Sequence, residues 1–118
     1  MTKYSTEDAI HAIIEGIQDK KGENIISIDF SKIENSEFKY FVICEGTSNT
    51  QVSAIADSVV EFVRNSKTAI LCGTDGYENS EWIILDFGDI FVHVFQPRIR
   101  EYYKIEELWA DCPIKEYI

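Results

Sequence analysis

Apolar residues near the start of the chain recur at the spacing of a helix. Four isoleucines would share one face: Ile10, Ile13, Ile14 and Ile17. Ser5 can cap the first turn, and the acids that follow it suit the positive end of the helix dipole. Two lysines and a glycine at residues 20–22 predict where the helix ends. A single apolar stripe indicates that only one face is buried.

Further along the chain, the pattern predicts strands and a second helix. Residues 24–30 and 38–45 are apolar runs, and the second is continuous enough to be typical of a central strand. Ser48, with Gln51 three residues later, has the pattern of a capping box, so a helix is predicted from there to Arg64 or Asn65. Residues 68–72 then predict a third strand. The order strand, helix, strand favours a βαβ unit and hence some parallel pairing.

The most hydrophobic stretch, residues 81–95 (EWIILDFGDIFVHVF), predicts a hairpin. Its two-residue turn is the Gly-Asp pair at 88–89, since a turn with glycine first matches the twist of the flanking strands. The turn sets the register: Phe87 opposes Ile90, Asp86 opposes Phe91, Leu85 opposes Val92, and Ile84 opposes His93.

This hairpin has one apolar face and one mixed face, because side chains alternate along a strand. The apolar face should line the core: Ile83, Leu85, Phe87, Ile90, Val92 and Val94. The mixed face is mainly aromatic: Trp82, Ile84, Asp86, Phe91, His93 and Phe95. Asp86 and His93 are diagonal neighbours there, and burying either one without a partner would cost several kcal/mol.

Three interpretations of Asp86 and His93 compete. A helix could cover the mixed face, with the two side chains satisfying each other or a cap. The face could instead dock a partner, since large exposed aromatic patches tend to mark interaction sites. A catalytic or metal site is the third, but the only other histidine, His11, lies far away on a helix, and no nucleophile has a base at a recognisable spacing.

The element order predicts an α/β fold, or α+β in the looser sense, with one domain over residues 1–118. It has a mixed sheet of four to five strands and two main helices. Pro97 permits a further helix start, and residues 104–109 add a turn. Tyr102, Tyr103 and Trp109 lie in that segment, where they either pack against the sheet edge or serve an interface.

Charge and composition narrow the function. The net charge of −10 argues against direct binding to a nucleic-acid backbone and favours a basic protein as partner. No window is apolar enough to span a membrane and no secretory signal is present, so a cytoplasmic location is expected. The three cysteines are widely spaced, which indicates reduced structural thiols and no metal site.

An enzyme remains the alternative. Gly46, Thr47 and Ser48 sit where a strand passes into a helix, and helix N-termini can hold phosphate. A nucleotidyl-transfer site would also need paired carboxylates to hold magnesium, for which Asp86 and Asp89 are candidates and Asp29 is a looser one. No phosphate-binding glycine motif accompanies them.

A series of motifs runs in order through residues 5–112: Gly46-Thr47-Ser48, Ile55-Ala56-Asp57, Asp75-Gly76, Trp82, Asp86, Gly88-Asp89, Val92-His93-Val94-Phe95, Pro97, Arg100-Glu101-Tyr102-Tyr103 and Leu108-Trp109. In their order and spacing these motifs resemble the ribosomal silencing factor family, also called Iojap-related. One departure is Asp75, where members often have glutamate.

The resemblance implies a fold related to nucleotidyltransferases without their catalytic residues, and hence no enzyme activity and no cofactor. It implies a translational repressor that binds the large ribosomal subunit through ribosomal protein L-fourteen and blocks joining of the small subunit when nutrients are short. The partner-binding residues carried over are Trp82, Asp86, His93, Tyr102 and Tyr103, with Ile84, Phe91 and Phe95 as apolar neighbours. The free protein could form a homodimer through the same patch.

Overall fold

The computed structural model describes residues 5–118, and its first element is helix α1, Thr6–Asp19. Ser5 caps α1 as predicted, because its hydroxyl accepts from the backbone N–H of Asp8 at 3.1 Å. The other elements follow in chain order: β1 (Glu23–Asp29), β2 (Tyr40–Glu45), α2 (Asn49–Ser66), β3 (Gly73–Asp75), β4 (Trp82–Asp86), β5 (Ile90–Phe95), α3 (Pro97–Tyr103), a 3-10 helix (Ile105–Trp109) and β6 (Ile114–Tyr117).

The strands form one mixed sheet in the order β3-β4-β5-β2-β1-β6. Only β2 and β5 pair in parallel, and the other neighbours are antiparallel. The α+β class and the mixed sheet are therefore confirmed, with six strands among residues 5–118 where four or five were predicted. Two of these strands were not predicted: β3, which pairs with β4, and β6, a short edge strand beyond Pro113 that pairs with β1.

The predicted strand at residues 68–72 is wrong, and so is the βαβ unit built on it. Pairing begins only at β3, which runs antiparallel to β4 and lies at the sheet edge. Ala69 and Leu71 pack against the core while Ile70 is 80% exposed. The segment bonds to β4 only at its end, where the N–H of Cys72 donates to the carbonyl of Asp86 at 2.7 Å. The parallel pair is instead β2 with β5, reached through α2, β3 and β4.

The hairpin formed by β4 and β5 has the predicted register. Ile84 pairs with His93 and Asp86 with Phe91, while Gly88 takes a φ of +84° in the turn. The predicted core face is confirmed, since each of its side chains is buried: Ile83, Leu85, Phe87, Ile90, Val92 and Val94. This face packs beneath α1 and α2 in the main hydrophobic cluster.

The opposite face of the sheet has a smaller core of its own. Ile28, Phe30, Ile43 and Phe95 are buried there. Ile99 from α3, with Ile105 and Trp109 from the 3-10 helix, packs over them. These covering residues reach the strands β1, β2 and β5. The sheet therefore lies between two long helices on one side and a short helical segment on the other.

Two smaller expectations concern membranes and thiols. Among residues 5–118, none of the helices combines the length and hydrophobicity that a bilayer span requires. Cys44, Cys72 and Cys112 are all free thiols. Burial raises the pKa of Cys44 to about 12, so this side chain stays a neutral thiol in the core.

Candidate functional site

The mixed face of the hairpin is left uncovered toward the sheet edge formed by β3 and β4. Asp75 pairs with Ile84 across these strands, and Asp86 is the pair of Gly73. Gly73 and Asp75 are exposed, and Ile84 and Asp86 are half-buried. We call this surface, together with the aromatic side chains around it, the open face: Asp75, Trp82, Ile84, Asp86, Phe91, Tyr102 and Tyr103. Both charged groups in this set are carboxylates.

Two of the predicted partner-binding residues lie beneath the surface. Phe95 is 0% exposed and His93 is 5% exposed. Phe95 is covered by Trp82, whose ring stacks on it with centroids 4.8 Å apart. The expectation that His93 is solvated or faces a partner is therefore wrong for the free chain. Both residues support the open face from within.

The tyrosines after β5 are at the surface and join the open face through Trp82. Tyr102 is 79% exposed and Tyr103 is 52% exposed. The ring of Tyr103 lies 5.0 Å from that of Trp82, and the two tyrosine rings pack edge to face. Trp109, in contrast, packs inward against Phe30 at 4.8 Å. The two tyrosines are therefore placed where they could contact a partner, whereas Trp109 packs against the sheet.

His93 and Asp86, predicted to be possible partners, bond elsewhere. Asp86 accepts from the backbone N–H of Gly88 at 2.8 Å and so stabilises the hairpin turn. His93 Nδ1 accepts from the indole N–H of Trp82 at 3.1 Å. His93 Nε2 has no hydrogen-bond partner among residues 5–118. Its imidazole also packs edge to face on Phe41, at 4.5 Å between centroids.

Burial keeps the His93 imidazole neutral. It lowers the pKa of His93 from an ordinary 6.5 to about 4. The unfolded chain takes up the proton near pH 6.5, and the folded protein resists it until about pH 4. The stability contributed by neutral His93 is therefore complete above pH 6.5 and is lost as the pH falls toward 4. Its full size is about 3 kcal/mol, from 1.36 kcal/mol per pKa unit.

We expect His93→Phe to flatten the stability profile between pH 6.5 and 4. The measurement is urea unfolding of both proteins across that range. Equal slopes for the wild type and His93→Phe would contradict the assignment.

Sequence reasoning missed two phenylalanines that extend the aromatic surface inward. Phe41 on β2 pairs with Phe91 on β5, and their rings lie 6.3 Å apart. Phe38 lies 5.8 Å from Phe91 and stacks on Phe41. The sequence FKYF at residues 38–41 does not predict this, because strand alternation would put Phe38 and Phe41, three residues apart, on opposite faces. Phe38 reaches the face of Phe41 because it lies before β2, which begins at Tyr40. The sequence also could not show that β2 lies beside β5.

Arg100 holds the covering segment onto the sheet. Its guanidinium donates to Glu45 at 2.9 Å, to the backbone carbonyl of Asn24 at 2.7 Å, and to Glu106 at 2.8 Å. The Arg100 side chain is only 11% exposed, so these are shielded charge-assisted bonds. The sequence identified Arg100 only as one of the residues that match the family pattern. Its contacts fix α3 and thereby the position of Tyr103.

Replacing Arg100 by lysine should weaken this attachment. A lysine keeps the charge but has no planar fork to reach three acceptors at once, so we expect a loss of roughly 2 kcal/mol. Thermal unfolding measures the loss, and the exposed Arg98→Lys is the matched control on the same helix. If Arg98→Lys lost as much stability as Arg100→Lys, the three hydrogen bonds of the Arg100 guanidinium would not be the cause of the loss.

The enzyme reading gains no geometric support. Ser48 accepts from the N–H of Gln51 at 3.1 Å, and Gln51 accepts from the N–H of Thr47 at 2.7 Å, so side chains already satisfy this helix start. Asp86 is held in the hairpin turn, and Asp29 accepts from the N–H of Ser31 at the end of β1. Within residues 5–118, no group of three or more Cys, His, Asp or Glu side chains is placed to hold a metal ion.

Comparisons with known proteins agree on one family. The family model described as ribosomal silencing factor during starvation matches residues 3–117. Ribosomal silencing factor RsfS of Chromobacterium violaceum is 43% identical over 97 residues, which cover 82% of this chain and 78% of that protein. A crystal structure of a protein from the same organism superposes with a TM-score of 0.84 and 36% identity, covering 90% of this chain and 87% of that one.

A more distant relative carries a related name. The mouse mitochondrial assembly of ribosomal large subunit protein 1 is 33% identical over 77 residues, which cover 60% of this chain and 32% of that longer protein. The family model spans nearly the whole chain, and the bacterial relatives share both its sequence and its fold. The chain belongs to the ribosomal silencing factor family, whose members are regulators of translation.

Proposed function

We propose that this protein binds the large ribosomal subunit through ribosomal protein L-fourteen and sterically blocks joining of the small subunit. The observation that carries the proposal is the open face. It is an aromatic surface with two carboxylates at a sheet edge, and the covering segment α3 leaves it accessible. Aromatic residues dominate the buried centres of protein interfaces, where they supply most of the binding energy.

Charge supports a protein partner on the ribosome. Asp75 and Asp86 stand in the open face, and the whole chain carries −10. Such a surface is repelled by ribosomal RNA and attracted by a basic ribosomal protein, so electrostatics both steers the encounter and excludes wrong sites. The family description supports a ribosomal target, and the name of the mouse relative supports the large subunit.

The proposed mechanism needs no chemistry. A bound protein of 13.6 kDa would occupy space that the small subunit requires, and translation would fall when nutrients are short. The predicted contact residues are the exposed and half-buried ones, Trp82, Ile84, Asp86, Phe91, Tyr102 and Tyr103. His93 and Phe95 act from below the surface.

The same surface offers self-association to the free protein. Its aromatic centre would be shielded from water in a homodimer, while two copies of Asp75 and Asp86 would repel across a two-fold axis. We therefore expect a weak dimer that is favoured by salt, because salt screens the carboxylates. Analytical ultracentrifugation at two salt concentrations tests this, and large subunits added in excess should dissociate the dimer.

A sucrose gradient provides the central test. The protein should travel with isolated bacterial large subunits and should be absent from assembled whole ribosomes. Adding it before the small subunits should reduce the whole-ribosome peak, and adding it afterwards should have little effect. Co-migration with small subunits, or an unchanged whole-ribosome peak at saturating protein, would refute the proposal.

A further inference from the structure

We infer that His93 is a positioning residue for Trp82, which it turns so that the indole ring meets the partner while the indole N–H stays inside the protein. This inference deepens the proposed function and rests on it. The bond that carries it runs from Trp82 Nε1 to His93 Nδ1 at 3.1 Å. Trp82 is half-buried in the open face, and His93 lies beneath it at 5% exposure.

The hydrogen bond fixes the tautomer of His93. Its Nδ1 accepts from Trp82, so the proton of the neutral ring is on Nε2. That nitrogen has no partner among residues 5–118. An imidazole is therefore a worse core residue here than a phenyl ring, which would fill the space with no unsatisfied donor. The favourable contribution of this imidazole is its acceptor nitrogen, and that nitrogen points at Trp82.

Three contacts together leave Trp82 little rotational freedom. Its ring stacks on Phe95, with an interplanar angle of 26°, and contacts Tyr103 at 5.0 Å. Stacking alone permits the indole to slide or flip on its neighbour, because a flipped ring presents a similar area. The bond to His93 selects one orientation, since only one edge of the indole carries a donor.

The orientation has a consequence for recognition. The single donor of Trp82 is used inside the protein, so the partner meets this ring through its carbon framework. Such a surface suits an aliphatic side chain or the face-on approach of an arginine or lysine from a basic protein. A ring held in place before binding also avoids the entropy loss of ordering it in the complex.

Two nearly isosteric substitutions test the role of the acceptor. The side-chain oxygen of asparagine sits two bonds from Cβ, as Nδ1 does, whereas that of glutamine sits further out, near the position of Nε2. We expect His93→Gln to weaken binding to large subunits about tenfold by freeing the indole, and His93→Asn to stay close to wild type. His11→Gln on the exposed surface of α1 is the control for histidine loss itself.

The indole N–H resonances report positioning independently of the ribosome. The chain has two tryptophans, so each gives one signal, and Trp82→Phe assigns them. His93→Gln should move the Trp82 signal and leave that of Trp109 in place, whereas His93→Asn should restore it. Trp82→Phe should weaken binding about as much as His93→Gln, and the double variant should lose no more than either single one.

The outcomes separate the inference from the function on which it rests. If the wild type fails to bind large subunits, the proposed function falls, while the indole signals still decide whether His93 orients Trp82. An unmoved Trp82 signal in His93→Gln overturns the positioning role. A moved signal with unchanged affinity also overturns it, and so do additive losses in the double variant.

Discussion

Asp86→Arg is expected to abolish co-sedimentation with large ribosomal subunits. The carboxylate lies in the open face, and reversing its charge would place a cation against a basic partner. Like charges brought together across an interface cost several kcal/mol, and about 3 kcal/mol corresponds to roughly a hundredfold loss in affinity. The measurement is a binding curve from pelleting at graded concentrations of large subunits.

The fold should survive this change. Asp86 accepts one backbone hydrogen bond, from Gly88 in the turn, so its loss costs about 1 kcal/mol. Asp86→Asn separates the two roles, because the amide oxygen still reaches the turn while the charge is gone. We expect this variant to bind with intermediate affinity. Trp82→Ala is a less clean probe, since Trp82 also packs on Phe95 and its removal leaves a cavity.

Glu61→Arg provides the matched control for charge. Glu61 is exposed on α2, which packs on the opposite side of the sheet, and its reversal produces the same change in net charge. We expect near wild-type binding for this variant. If Glu61→Arg lost as much affinity as Asp86→Arg, the effect would belong to the overall charge and not to the open face. If Asp86→Arg bound large subunits with wild-type affinity, the open face would not be the docking surface.

The hairpin register could be predicted from the sequence because its determinants are local. A two-residue turn with glycine first admits one pairing, and strand alternation then separates the core face from the mixed face. The register and the alternation together place Ile84, Asp86 and His93 on the mixed face. Helix caps at Ser5 and Ser48 were predictable for the same reason, since each serine hydroxyl and the backbone N–H that donates to it lie within one turn.

Exposure within the mixed face could not be predicted, because it depends on residues far apart in the chain. Arg100 reaches the carbonyl of Asn24 across 76 positions, and this contact fixes the segment that covers Phe95. The hydrogen-bond partner of His93 could not be predicted either, because it depends on how the neighbouring side chains rotate. Asp86 and Trp82 both lie within reach on the same face, and the register alone does not choose between them.

The errors at the sheet edges have a related cause. Residues 68–72 are as apolar as a strand, yet only Ala69 and Leu71 pack against the core. The backbone of this segment bonds to β4 only at its last residue, where the N–H of Cys72 donates to the carbonyl of Asp86 at 2.7 Å. β6 is the reverse case, a largely polar segment that becomes a strand because β1 offers it an edge. Edge pairing depends on which neighbour has free backbone groups, and composition does not report that.

Gly76→Ala is expected to be the most destabilising substitution near the open face. Gly76 has a φ of +93°, a conformation that costs a residue with a side chain about 1–3 kcal/mol. A Cβ at this position would also lie 2.0 Å from the carbonyl oxygen of Trp82, which is backbone and cannot rotate away. The two effects together should remove about 3 kcal/mol or more, a fall in Tm on the order of 10 °C for a domain of this size.

The position of Gly76 links this loss of stability to binding. The Gly76 carbonyl accepts from Ser80 N–H at 2.9 Å, which closes the loop that leads into Trp82. An alanine must push the Trp82 backbone outward, so the part of the protein that remains folded should also bind large subunits more weakly.

Gly73→Ala on β3 is the control, because nothing lies within 4 Å of the added Cβ and the residue is not in the left-handed region. We expect that control to unfold within about 1 kcal/mol of the wild type. Equal Tm values for Gly76→Ala and the wild type would show that the loop can relax around the methyl group, and Trp82 would then not depend on this glycine.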